Sequence, residues 1–265
     1  MNTATALNTG IVSYKILING TDKSASFSIK SMVIHHEVNR IPYASIILVD
    51  GDVSTGTFAV SSSEDLIPGS ELEIQAGYEN DNVSLFTGKV IRHSIKIRES
   101  VSMLVVECKH EAVKLTVGPK STYFYDSSDS DIIESILGNA GINASVEQSN
   151  YNHPQLIQYQ TTDWDFIVLR AQINGFLCFL EGNTIEFKKP DLSTEAVITL
   201  EYGLNIYDFD GEIDARNALK TITSYTWNSN DQELSEREAS TSNALELGNL
   251  TQMDLAEIVD LENFR

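Results

Sequence analysis

Positive charge is what this chain most lacks. Its 18 lysines and arginines stand against 38 aspartates and glutamates, a formal net charge of -20 over 265 residues. A surface that negative repels phosphate backbones and anionic lipid head groups at long range, which argues against nucleic-acid or membrane binding driven by charge. The acidic excess is read as keeping a strand-rich protein soluble and its sheet edges apart. Cysteine is scarce too: Cys108 and Cys178 lie in apolar, strand-like contexts with no metal spacing between them. They read as free buried thiols suited to a reducing compartment, not as a disulfide or a nucleophile. No apolar run is long enough to span a bilayer, and the start MNTATALNTG has neither the basic beginning nor the apolar centre of a signal peptide. Synthesis and residence in the cytoplasm are therefore expected.

Catalytic patterns are missing as well. There is no Gly-x-Ser-x-Gly, His-Glu-x-x-His, Walker loop or dinucleotide fingerprint. His35, His36, His93, His110 and His153 are scattered, none with a carboxylate or cysteine at ligand spacing; the adjacent His35 and His36 point to opposite faces of a strand. The acid pairs Asp129/Asp131 and Asp163/Asp165 sit in first helical turns and are read as serving helix amides rather than catalysis. Asp208, Asp210, Glu212 and Asp214 around Gly211 do not continue to a calcium-loop glutamate, so an exposed acidic turn is expected. Trp164 and Trp227 are assigned to the core. No catalytic residue, cofactor site or metal site is assigned.

What is present is mostly β grammar. Val12, Tyr14, Ile16 and Ile18 alternate up to an Asn19-Gly20 turn. Further strands are predicted for Phe27 to Ile34, Tyr43 to Val49, Leu72 to Ala76, Val83 to Phe86, Val90 to Ile97 and Ser102 to Cys108. Turns are expected at Asp50-Gly51, Pro68-Gly69 and Glu79 to Asn82, and a loop over Asp52 to Asp65. Many strands at short spacing, with no helical period, predict a closed or sandwiched β domain over residues 1–118.

From Pro119 the character changes. Ser128 with Asp131 marks a helix start, Ile132, Ile133, Ile136, Leu137 and Ala140 form one face, and Gly141 stops it. A short strand, Ile142 to Val146, and a polar loop, Glu147 to Pro154, lead to a second helix capped by Thr162 with Asp165; Phe166, Leu169 and Ile173 share one face and Trp164, Ile167, Val168 and Ala171 cover much of the rest, so this helix is expected to be covered on several sides. Gly175 ends it, and strands Phe176 to Leu180 and Thr184 to Lys188 follow. Residues 119–192 thus form an α+β domain with two helices. Strands are again predicted at Ala196 to Leu200, Leu204 to Phe209 and Leu219 to Trp227, and a helix start at Thr251/Asp254. Three strands cannot close a barrel; residues 193–237 are read as the start of a second β-barrel domain and 238–265 as the beginning of a further segment of a longer chain. The fold class is mainly β with an α+β insert.

The stretch from Tyr123-Phe124-Tyr125 through DIIESILGNAGI, and TTDWDFIVLRAQINGFLCFLEG between Tyr159 and Gly182, resemble in pattern and order the VgrG spike proteins of type VI secretion systems and the related hub proteins of contractile phage tails. Ile173-Asn174 departs from the acidic residues that many relatives carry before the glycine. The resemblance implies a tandem β-barrel tube module and a non-enzymatic structural hub. It further implies a homotrimer whose six barrels meet a hexameric, Hcp-like inner tube protein, with baseplate proteins as neighbours and a spike tip or effectors reached through later parts of the chain. Such a hub would be cytoplasmic in an assembled baseplate before firing and delivered outside the cell on contraction. The alternative from the residues themselves is a carbohydrate-binding or adhesive β module using Tyr123, Tyr125 and Tyr151; a cell-wall hydrolase with paired carboxylates is a third reading.

Overall fold

The computed structural model describes residues 10–52, 54–98, 101–182, 184–191, 196, 198–216, 218–228, 231–239 and 249–259. The chain divides into two compact units, Leu7–Val197, and Met1–Ala6 with Ile198–Arg265.

In the larger unit, β1 (Val12–Ile18), β2 (Thr21–Asp22), β3 (Ser28–His35), β4 (Tyr43–Val49), β5 (Glu71–Tyr78), β6 (Asp81–Arg98) and β7 (Val101–Lys109) form one antiparallel sheet in the order β2-β1-β5-β6-β7-β4-β3. The two strands predicted around residues 83–97 are one, β6. Its first half pairs with β5 and its second with β7, and register shifts after Ser84 and Val90 bend it between the two. Gly88 lies at that bend, where any Cβ would run into the Lys109 carbonyl oxygen and the Phe86 ring.

The predicted closed barrel is not hydrogen-bonded shut: β2 and β3, the two edges, do not pair among the described residues. Yet they are consecutive in sequence. The connection from Asp22 to Ser28 reaches at most about 22 Å, whereas crossing a flat sheet of seven strands takes about 29 Å. The sheet must therefore curl, and its core-facing residues meet in one cluster: Ile16, Ile18, Ala44, Ile46, Leu48, Leu72, Ile74, Phe86, Val90, Leu104, Val106 and Cys108. The loop after β4 is organised by Asp50, 4% exposed, whose carboxylate accepts hydrogen bonds from the Gly51, Val60 and Ser61 amides at 3.0, 3.0 and 2.8 Å. Burial pushes this carboxyl up, but the hydrogen bonds outweigh it and hold it below the usual range.

A second core belongs to the helical region. Here β8 (Lys120–Ser128) pairs with β10 (Asn152–Thr161) as a two-stranded antiparallel ribbon. The hairpin of β11 (Leu177–Glu181) and β12 (Thr184–Lys188) takes β9 (Asn143–Val146) as a parallel neighbour. Helices α1 (Asp129–Asn139) and α2 (Asp163–Ile173) cover this core, which gathers Ile132, Ile133, Ile136, Leu137, Trp164, Ile167, Ala171, Phe176, Cys178, Ile185 and Phe187. Ala112 and Leu115, from a 3-10 turn at Glu111–Thr116, join it as well.

Two expectations fail in this region. The polar loop predicted up to Pro154 already contains the start of β10, and its partner β8 runs through the tyrosines; with one face in water, neither strand shows an apolar alternation strong enough to be read. On α2 the expected Phe166-Leu169-Ile173 face is split: Leu169 and Ile173 are 53% and 61% exposed. The buried side is that of Trp164, Ile167 and Ala171, while Phe166 stacks on Phe124 with ring centroids 5.9 Å apart.

In the smaller unit, β13 (Thr223–Asn228) and β14 (Glu233–Glu238) form a hairpin and α3 (Gln252–Val259) begins at a Thr251/Asp254 cap. The strands predicted at Ala196 to Leu200 and Leu204 to Phe209 are absent among the described residues there; only an isolated Tyr202–Ile206 bridge forms. Side chains such as Leu204, Tyr207 and Phe209 are exposed, so their alternation has no sheet to pack on. Residues 192–195 and 197 lie outside the described residues.

Candidate functional site

The polar side chains that sequence reasoning weighed for chemistry are tied into the fold. In α1, Ser128 and Asp131 make a reciprocal capping box, with the Ser128 hydroxyl 3.2 Å from the Asp131 amide and the Asp131 carboxylate 3.2 Å from the Ser128 amide. In α2, the Thr162 hydroxyl accepts from the Asp165 amide at 3.1 Å. One acid of each pair thus serves a helix start as expected. The other acid of each pair does not.

Asp129, 2% exposed, accepts from Arg170 Nε at 2.6 Å and Nη2 at 3.0 Å, and from Asn174 Nδ2 at 2.8 Å. His153 Nε2 lies 3.2 Å from the same carboxylate and 3.1 Å from Arg170 Nη2. Burial raises the Asp129 carboxyl, but the hydrogen bonds from Arg170, Asn174 and His153 prevail and keep it below the ordinary carboxylate range. This network ties the first residue of α1 to the last turn of α2 and to β10. Asp163 similarly meets Lys120 Nζ at 2.5 Å and Gln158 Nε2 at 3.0 Å, holding the start of α2 to the ribbon. Both networks were missed because the cations that hold the two acids, Arg170 for Asp129 and Lys120 for Asp163, lie 41 and 43 residues away in sequence.

Among the histidines, His35 stacks on Tyr43 at 4.3 Å and His36 meets the Phe86 ring edge-on at 6.5 Å. His93 Nδ1 lies 3.0 Å from the Leu66 carbonyl oxygen. His110 is buried: its Nδ1 accepts from the Ala112 amide at 3.1 Å, which places the proton on Nε2, and that atom donates to the Gly182 carbonyl at 2.8 Å. Burial lowers its basicity below the ordinary value. His110 therefore bridges the end of β7 to the β11–β12 turn as a neutral ring, and Asn39 adds a second link, accepting from the Cys178 amide at 2.8 Å and donating its own amide to the Cys178 carbonyl at 3.0 Å. Cys108 and Cys178 sit in different cores, and burial pushes both thiols up to about 12; neither is a nucleophile at neutral pH. Asp214 is held by Arg216 at 2.5 to 2.9 Å. Among the described residues no cluster of three histidine, cysteine, aspartate or glutamate side chains has a metal-holding arrangement. Trp164 is buried as expected, but Trp227 is 60% exposed on the β13–β14 hairpin, opposite Leu234.

What stands open is surface. On the outer face of the β8–β10 ribbon Tyr123 lies directly across from Ile157, with Tyr125 and Tyr159 beside them, all exposed. No carboxylate occurs among the outward positions Ser121, Tyr123, Tyr125, Ser127, Gln155, Ile157 and Tyr159, in a chain of net charge -20. Apolar residues are also exposed at the ends of the curled sheet, including Val12, Tyr78, Val83, Ile95 and Ile97. Tyrosine-rich, charge-poor and strand-edge surfaces suit protein contacts better than turnover of a small molecule.

The fold compares with solved tail proteins. A 43 kDa tail protein of prophage MuSo2 from Shewanella oneidensis superposes with a TM-score of 0.63 at 14% identity, covering 80% of this chain and 63% of that one. A tail protein from Neisseria meningitidis gives 0.62 at 13% identity over 94% of this chain and 74% of its own. An E. coli component of the type VI secretion system, described as structurally similar to the bacteriophage T4 tail proteins gp27 and gp5, gives 0.51 at 13% identity over 65% of this chain and 48% of its own. The chain is thus shorter than these proteins and spans 63% of the Shewanella one. No curated protein sequence matches it. The Alg8 N-terminal domain family model matches residues 8–265, nearly the whole chain, and the protein belongs to that family.

Proposed function

We propose that this chain is the structural hub of a contractile injection machine, a non-enzymatic adaptor between an inner tube and a spike. The observation that carries the reading is the fold: the likeness to tail proteins extends over 80% and 94% of the chain. The surfaces agree with it, since the polar networks are internal braces and the open features are strand ends and a tyrosine ribbon. In this reading three copies assemble as a homotrimer that meets a hexameric, Hcp-like inner tube protein on one side and a spike tip or effector cargo, through further parts of the chain, on the other. Baseplate proteins surround it. The hub is assembled in the cytoplasm and leaves the cell on contraction. Mass photometry of the purified full-length protein tests the central claim: a trimer is expected, joined by the tube protein when that is added. A protein that stays monomeric at every concentration, with and without the tube protein, overturns it.

The shared exposed face of Tyr123, Tyr125 and Tyr159 favours one second reading, a carbohydrate-binding module. Glycan-array binding by a monomer, lost on substituting these tyrosines, would support that reading instead.

A further inference from the structure

The outer face of the curled sheet differs between its two halves. On β1, β5 and the first part of β6 the outward positions are mostly polar: Ser13, Lys15, Glu73, Gln75, Ser84 and Thr87. On the other half the buried Ile46, Leu48, Leu104 and Val106 turn inward, and cross-strand partners share a face, so Ile47, Val49, Val101, Met103 and Val105 point outward from the middle strands β4 and β7. Val49 and Val101 are 43% and 49% exposed, as is Val33 on β3 at 44%. Together they form an apolar strip about two strands wide, on the side of a sheet that a second layer ordinarily covers.

Cations border this strip on both sides. From β6, Arg92, Lys96 and Arg98 lie across from Glu107, Met103 and Val101 and so share the outward face. From β3, Lys30 reaches over β4 to place its Nζ 3.5 Å from the Met103 sulfur, and Lys109 stands outward at one end, opposite Tyr43. Among the described residues the one carboxylate on the face is Glu107, which pairs with Arg92. Its carboxyl is held below the usual range by the Arg92 hydrogen bond, with the charges of Arg92, Lys109 and Lys96 acting in the same direction. Asp50 and Asp52 stand at the border, beyond Val49, the first held by loop amides and the second by Ser54. Even with these two included, the five cations outnumber three carboxylates, in a chain of net charge -20. Glu99 lies outside the described residues.

A face that is apolar along its middle and cationic along both borders selects its occupant by charge. The borders, on β3 and β6, are three strand spacings apart, about 14 Å; an α-helix with its side chains is about 10–12 Å across and fills the width between them. We propose that this face docks an amphipathic helix of an acidic partner protein. The apolar stripe of that helix lies along β4 and β7, and its flanking aspartates and glutamates meet Lys30 on one side and Lys96 and Arg98 on the other. A helix engages this face alone, within a screening length of its cations, whereas a bilayer or a nucleic acid would also meet the acidic remainder of the chain. Such a partner is compatible with the hub reading and does not require it.

Two synthetic helical peptides test the proposal by fluorescence anisotropy with the full-length protein at physiological salt. Both carry the same leucine stripe, flanked on each side by glutamates in one and by lysines in the other. The wild type is expected to bind the glutamate peptide about tenfold tighter than the lysine peptide, although the net charge of -20 by itself favours the reverse. Lys96→Glu with Arg98→Glu should weaken binding of the glutamate peptide about tenfold and invert the preference. Lys30→Glu, on the opposite border, should act in the same direction. Val49→Ser with Val101→Ser should weaken both peptides, and Lys15→Glu, on the polar half, should change neither. The wild-type comparison depends on no variant folding. Absence of a preference for the glutamate peptide, or a preference indifferent to the reversals at both borders, overturns the proposal. So does tighter binding to phosphatidylserine vesicles, to single-stranded DNA or to further copies of this chain, if the same reversals abolish it.

Discussion

At the residue scale, the buried charges are braces whose value lies in their partners. Arg170 neutralises Asp129 beneath α1 and α2, and removing it leaves a carboxylate 2% exposed without its guanidinium partner. Arg170→Ala is expected to cost about 3–5 kcal/mol, read as a lowered midpoint in urea unfolding. Pairing Arg170→Met with Asp129→Asn should cost less than Arg170→Ala alone, because no charge is then stranded. His110 contributes a pH dependence of definite sign. Its basicity in the folded protein lies below the ordinary value of 6.5, so in acid the unfolded chain takes up a proton that the folded one refuses. The stability it contributes is complete above about pH 6.5 and is lost as pH falls through the depressed folded value. Thermal midpoints between pH 7 and pH 5 should therefore fall for the wild type and fall less for His110→Gln, which retains a donor and an acceptor but does not titrate. Asp129 acts in the same direction at lower pH, since its carboxyl is also held below its ordinary value.

At the scale of elements, the helix starts and the bend in β6 are the features most open to test. Ser128 closes a reciprocal cap, so Ser128→Ala is expected to cost about 1 kcal/mol, with the loss confined to the helical region in hydrogen-exchange measurements. Gly88 is required by space rather than by a left-handed backbone: a Cβ there meets the Lys109 backbone and the Phe86 ring. Gly88→Ala should destabilise by about 1–3 kcal/mol, whereas the same change at Gly138, where a Cβ meets nothing within 4 Å, should be neutral or stabilising because that position is helical. The helices were legible because capping is local; Ser128, Asp131, Thr162 and Asp165 stand within one turn of what they cap. The β8–β10 ribbon was not, because a helix and a further strand separate its two strands in sequence, and its inward positions, which include Phe124, Ser128, His153, Leu156 and Gln158, mix polar and apolar side chains.

At the scale of the whole molecule, the larger unit holds two cores joined by His110–Gly182 and Asn39–Cys178 hydrogen bonds. Residues 7–197 produced alone should consequently unfold in a single cooperative transition by circular dichroism; two separate transitions would show that the cores are independent. Composition and local pattern by themselves determined that this protein is acidic, strand-rich and built with two capped helices amid β structure. These properties depend on neighbours a few residues apart, where alternation, caps and turns act. Only the tertiary structure decided that one long strand serves both halves of a curled, unclosed sheet, that Asp129 and Asp163 bind cations and amides rather than helix ends, and that Leu169 and Ile173 face outward. Each of those outcomes depends on which distant segments come together, and periodicity along a chain carries no record of that choice.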